Sequence, residues 1–107
     1  MRRRAKIGAF TYEVRYDPKL QDVGGVLGTC LTDSLIILID QNLPDEVEAE
    51  TILHETLHGA WAQTGLRKRF GEEDEEFIIW QLSPLIFGFL REPKNRSLVE
   101  WILTAGK

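Results

Sequence analysis

The sequence predicts an α+β fold, with a small N-terminal antiparallel sheet followed by a long helix and two or three further helices. Three observations carry this. Residues alternate with strand period between Phe10 and Tyr16, a short β-branched run follows at Leu35–Ile39, and everything after Pro44 reads as helix. At 107 residues the chain is expected to be a single domain, 1–107, with a modest core. Hydrophobic residues make up 43% and charged residues 28%, which places it with folded globular proteins and not with disordered chains. Its net charge of −4 argues against a nucleic-acid binder, which usually carries a basic stripe.

The N-terminal arginines Arg2, Arg3 and Arg4 are expected to be a solvated, frayed end. In the segment Ile7–Tyr16, Phe10, Tyr12, Val14 and Tyr16 share one face of a strand, and Thr11, Glu13 and Arg15 share the other. Asp17-Pro18 ends it, because proline has no ladder donor. Three glycines in residues 21–28 predict a turn or hairpin connection. Leu35–Ile39, bounded by Asp33-Ser34 and Asp40, is a second strand.

Asn42, Leu43 and Pro44 open the long helix, with Asp45 and Glu46 suited to its positive end. It is expected to run to Thr64, with Gly65 supplying a left-handed C′ position. Residues 67–70 connect to a helix that starts in the acidic run Glu72–Glu76. Ser83-Pro84 interrupts that pattern, so 73–91 is one kinked helix or two, the second capped by Ser83. Pro93 precedes a last helix over Ser97–Thr104.

Cys30 is the only cysteine, so no intrachain disulfide forms, and a packed thiol is the expected role. Met1–Lys6 is basic, but no apolar signal segment follows it, and no apolar run is long enough to span a bilayer. A cytoplasmic location without membrane or nucleic-acid partners is expected.

Residues 54–58 read His-Glu-Thr-Leu-His. On a helix, positions i and i+4 share a face, so His54 and His58 can aim ring nitrogens at one ion. Neutral imidazole suits zinc, and two such nitrogens plus an oxygen leave one position open. Glu55 lies about 100° round the helix from His54, beside such an ion, where a general base would stand. Both histidines of the chain are in this motif, and Gly59-Ala60 follow at once, small enough for another element to approach closely. Trp61 lies on the histidine face and is expected to wall the pocket, whereas Trp80 and Trp101 read as packing residues.

The third ligand must be a carboxylate or Cys30. Within the acidic run, Glu75 continues the apolar line Ile78, Ile79, Leu82 and Ile86, which favours it. Glu76 aligns with Ile79, Trp80 and Ser83 and stays as the alternative. An acidic run also suits a helix N-terminus on electrostatic grounds alone.

With His54-Glu55-Thr56-Leu57-His58 followed by Glu75–Leu82, the chain resembles the gluzincins. Among these it is most similar to ImmA/IrrE-like metallopeptidases and short phage-encoded zincin-like proteins. The resemblance spans the Leu35 strand to the final helix, and only the histidine motif in it is specific. It implies one zinc per chain, hydrolysis of peptide bonds in a protein or peptide substrate, narrow regulatory specificity of the phage kind, and an edge strand, here Leu35–Ile39, beside the cleft. Ile78 and Leu82 at +3 and +7 again point to Glu75. The Asn-Arg-Phe-Ala signature of longer members is absent. Tyr12, Tyr16 and Arg67 are candidates by residue type for stabilising an oxyanion. The competing reading is a non-catalytic zinc-binding regulatory or protein-interaction module.

Overall fold

In the computed structural model, which describes residues 3–22 and 25–107, β1 (Arg3–Ile7) and β2 (Phe10–Asp17) form an antiparallel hairpin. Arg3 and Arg4 are therefore paired with Val14 and Glu13 and do not fray as expected; Arg2 lies outside the described residues. The pairing is with a later segment, so nothing local announces it. Gly8 makes the turn at φ +59, and a Cβ there would collide with the Gln63 side chain. Gln63 in turn accepts from Ala9 N and donates to the Ile7 carbonyl, which fastens this turn to the helical layer.

β3 (Gly28–Leu31) and β4 (Ile36–Asp40) form a second hairpin, and the sheet order is β1-β2-β4-β3. The expected α+β order stands, but the sheet is mixed. The chain leaves β2, crosses to the far edge, returns as β3, and then places β4 in the gap, parallel to β2. The strand expected at Leu35–Ile39 is thus central and fully paired, and β3 takes the edge. Residues 23 and 24 of the glycine-rich connection lie outside the described residues.

Alternation puts Ile7, Tyr12, Val14, Ile37 and Ile39 into one buried cluster. α1 (Asp45–Trp61) lies on that face. The close approach is at Gly59, where an added Cβ would stand 3.0 Å from Ile7 Cδ1, 3.5 Å from Tyr12 Cζ and 3.6 Å from Cys30 Sγ. The small residues after the histidine motif do admit another element, and that element is the sheet.

α1 ends at Trp61, short of the expected Thr64. The Thr64 hydroxyl accepts from Leu66 N and caps a short 3₁₀ turn, Gly65–Lys68, so it starts the next element. Gly65 does not have the positive φ of a C′ glycine. α2 (Glu72–Arg91) is a single helix with Pro84 inside it. Ser83 caps nothing: fully buried, it donates to Glu50 Oε1 at 2.9 Å and ties α2 to α1. α3 (Arg96–Thr104) closes the order. Among the described residues, no helix is long and apolar enough to cross a membrane.

The approach at Gly59 sets a steric test. Gly59→Leu is expected to lower stability by about 1–3 kcal/mol, the range for overpacking a tight contact, measured as a shift in the urea midpoint at unchanged slope. An unchanged midpoint would show that the sheet and α1 can separate without cost.

Candidate metal centre

The histidines stand one turn apart on α1, their ring centroids 5.0 Å from each other. α2 crosses beside them and brings two consecutive acids to the rings. Glu76 Oε1 lies 3.1 Å from His54 Nε2, and Glu76 Oε2 lies 2.9 Å from His58 Nε2. Glu75 Oε2 lies 2.6 Å from His58 Nδ1. Among the described residues, His54, His58 and Glu76 are the group whose ligand atoms all fall within 4.8 Å of one another. Glu75, preferred on periodicity, is placed on the opposite ring nitrogen of His58, and the alternative, Glu76, faces both Nε2 atoms.

The reason lies in which line of α2 turns inward. The buried residues of this helix are Glu75, Ile79 and Ser83. Leu82, part of the more uniform apolar line, is 48% exposed. The inward line is partly polar because the face of α1 that it meets carries Glu50, His54 and His58.

A neutral imidazole has one donor and one acceptor nitrogen, and a carboxylate only accepts. His58 faces a carboxylate oxygen at both nitrogens, so in its neutral form only one contact is a hydrogen bond. With Glu75 taking the Nδ1 proton, the Nε2 lone pair points at Glu76, as a metal ligand's would. Two nitrogens and a carboxylate are a donor set that suits zinc.

Glu55 is 7% exposed, on the flank of α1 toward β3. Its position needs Gly28: a Cβ there would press on Thr51 Cγ2 and sit 3.3 Å from Glu55 Cγ. Burial, with lesser repulsion from Glu76 and Glu50, raises its pKa from 4.5 to about 7 against the opposing pull of His58. Cys30 lies outside the ligand group. Burial and the nearby Glu55 hold its thiol at about 11, and it is hydrogen-bonded to the Tyr12 hydroxyl, so it is a packed thiol.

Two clefts flank the centre. One, of about 440 Å³, is lined by Val26, Leu27, Trp80 and Pro84 together with His54, Glu55 and Glu76. The other, of about 580 Å³, is lined by Thr32, Asp33, Arg67 and Phe70 together with His58, Glu75 and Glu76. Of the three oxyanion candidates only Arg67 lines these clefts, its Nε 4.0 Å from Glu75 Oε1. Tyr12 is buried in the core, and the Tyr16 hydroxyl is engaged by Arg3 and Glu48.

The tryptophans exchange their expected roles. Trp61 is buried beside Phe70, its Nε1 without a partner among the described residues, and lines neither cleft. Trp80 walls the apolar cleft, its ring edge-on to His54 at 5.9 Å, and is 63% exposed. Its place directly after Ile79, on the line that contains Glu76, was the available signal. Trp101 is exposed as well.

No family model matches the chain, and neither a curated protein nor a solved structure matches it.

The shifted Glu55 sets the sign of a pH effect in metal-free protein. Below about pH 4.5 the carboxyl is protonated both folded and unfolded, and it carries no penalty. Between 4.5 and about 7 only the unfolded chain ionises, so stability falls as pH rises, and above 7 the penalty is constant. In chelator, Glu55→Gln is therefore expected to be more stable than the parent above pH 7, by on the order of 2 kcal/mol, with the difference vanishing below pH 4.5. Thermal melts across this range measure it, and equal melting temperatures throughout would refute the burial argument.

Proposed function

We propose that this protein is a zinc-dependent peptidase in which His54, His58 and Glu76 hold one zinc ion and Glu55 is the general base. The observation that carries the reading is the convergence of both imidazole Nε2 atoms on the Glu76 carboxylate, within 4.8 Å, beside a buried Glu55. Three protein ligands leave a tetrahedral ion one open position, as hydrolytic sites require. When bound, zinc supplies a Lewis acid for the scissile carbonyl and brings the pKa of water to roughly 7.

The residues around it have separable roles. Glu75 accepts from His58 Nδ1, fixing the tautomer and the ring orientation; it is a positioning residue. Glu55, with its pKa near 7, takes a proton from the attacking water and passes it to the leaving amine. Arg67 is the cation able to meet developing negative charge on the His58 side. β3, at the sheet edge next to Glu55, offers backbone donors and acceptors to an extended peptide. The Val26–Leu27–Trp80–Pro84 cleft takes an apolar side chain of that peptide. A protein substrate in the cytoplasm is part of the same reading.

The test begins with metal content, by elemental mass spectrometry on protein purified without chelator. One zinc per chain is expected, lost in His54→Ala and Glu76→Ala. Glu75→Ala should retain the site at roughly 10–100-fold lower affinity; a greater loss at Glu75 than at Glu76 would move the ligand to Glu75. Glu55→Gln should bind zinc normally, yet cleave a mixed peptide library, read by mass spectrometry, roughly 10²–10⁴-fold more slowly. Full activity in Glu55→Gln would remove Glu55 from the chemistry, and absence of zinc uptake would remove the whole reading.

A further inference from the structure

α2 carries two lines of side chains. Glu75, Ile79 and Ser83 are buried against α1. Ile78, Leu82, Leu85 and Phe89 form a second line with the 4-3-4 spacing of a helix-packing seam. At 100° per residue it lies about a quarter turn from the buried line. Ile78 is half-buried, and among the described residues nothing covers the rest of the line: Leu82, Leu85 and Phe89 are 48%, 71% and 41% exposed. α3 is uncovered too, with no buried residue and with Leu98, Trp101 and Ile102 more than half exposed. The radius of gyration, 14.7 Å, exceeds the roughly 13 Å of a compact 100-residue domain, as a projecting helical arm requires.

We propose that a second copy of this chain covers the arm, the two α2 helices packing antiparallel across a two-fold axis. The seam is symmetric about its midpoint, so the axis sets Leu82 against the partner's Leu85 and Ile78 against the partner's Phe89. The charges agree with this direction. Glu72, Glu73 and Asp74 stand at one end of the arm, and Arg91, Lys94 and Arg96 stand at the other. Antiparallel packing brings the acidic end of one arm to the basic end of the other, with Asp74, four residues before Ile78 on the seam line, near the partner's Lys94, whereas parallel packing would bring like charges together.

The area suffices as well. Leu82, Leu85, Phe89, Leu98, Trp101 and Ile102 expose on the order of 600 Å² of apolar side chain, where a standard interface of about 800 Å² per partner needs only about 450 Å² of it apolar. A membrane surface is the poorer occupant, because the arm's polar positions include Glu92 and Glu100 and the chain is acidic overall. Glu76 lies roughly 150° round α2 from the seam, so the metal centre stays open in the dimer. The inference does not rest on zinc or on hydrolysis.

Sedimentation of the full chain tests it. The parent is expected to dimerise with Kd at or below about 10 μM, and Leu85→Glu to raise Kd at least about 100-fold. Leu85 is exposed in the single chain, so the variant should keep the parent's circular dichroism. Independently, Lys94→Glu should weaken the dimer about tenfold, and adding Asp74→Lys should restore it. A parent that stays monomeric at about 100 μM overturns the proposal, whether or not it binds anionic vesicles. A dimer indifferent to Leu85→Glu places the interface elsewhere and overturns it too. Loss of the dimer in Leu85→Glu without rescue in the charge-swapped pair overturns the antiparallel register.

Discussion

Polar contacts hold the middle of the α1–α2 pair, and the candidate site depends on them. Ser83 donates to Glu50, Glu76 spans both imidazoles, and Glu75 takes the far nitrogen of His58. Hydrocarbon packing tolerates small slides of one helix along another, because its energy varies gently with position. Directional contacts between partly buried polar groups do not, since a buried group left unpaired costs about 1–3 kcal/mol. The polar interface therefore fixes the height and rotation of α2 more closely than apolar packing alone would. On its other side α1 is fixed by a steric contact, the seat of Gly59 on Ile7, Tyr12 and Cys30. One helix is thus positioned by shape against the sheet and by hydrogen bonding against its neighbour.

What could be read from the sequence follows from how local each signal is. The α+β order, the β2 alternation, the start of α1 and the His54–His58 face all depend on residues a few positions apart, and each is found in the structure. β1 depends on pairing with β2, and the parallel β2–β4 contact depends on a crossover, so neither leaves a periodic trace. Thr64 and Gly65 read as a helix end, yet Thr64 serves as the cap of the following turn. The site shows the same division. The helix with both histidines is legible, but the preference for Glu75 over Glu76 assumes that the most uniform apolar line faces inward. The line itself does not turn inward, since Leu82 is exposed; the facing surface of α1 is polar, and the buried line of α2 matches it with Glu75 and Ser83. Trp61, expected to wall the pocket from its place on the histidine face, is buried beside Phe70, and Trp80 lines the cleft instead.

Charge balance connects these contacts to the chemistry. Glu50, Glu55, Glu75 and Glu76 gather around two imidazoles, with Arg67 as a counter-charge 4.0 Å from Glu75. Such an arrangement has an excess of acceptors over donors, and burial makes the excess costly. The raised pKa of Glu55 is that excess seen from a single group: desolvation first, then repulsion from Glu76 and Glu50. A structural role alone would be served by fewer acids, since Ser83 and Ile79 already join the helices. A divalent cation at the two Nε2 atoms and Glu76 would reverse the balance, turning mutual repulsion into shared attraction. Glu75 then remains on Nδ1, where it keeps the His58 lone pair directed at the ion. Around such an ion, consecutive acids on α2, about 100° apart, would divide the two sides of one imidazole between binding and orientation.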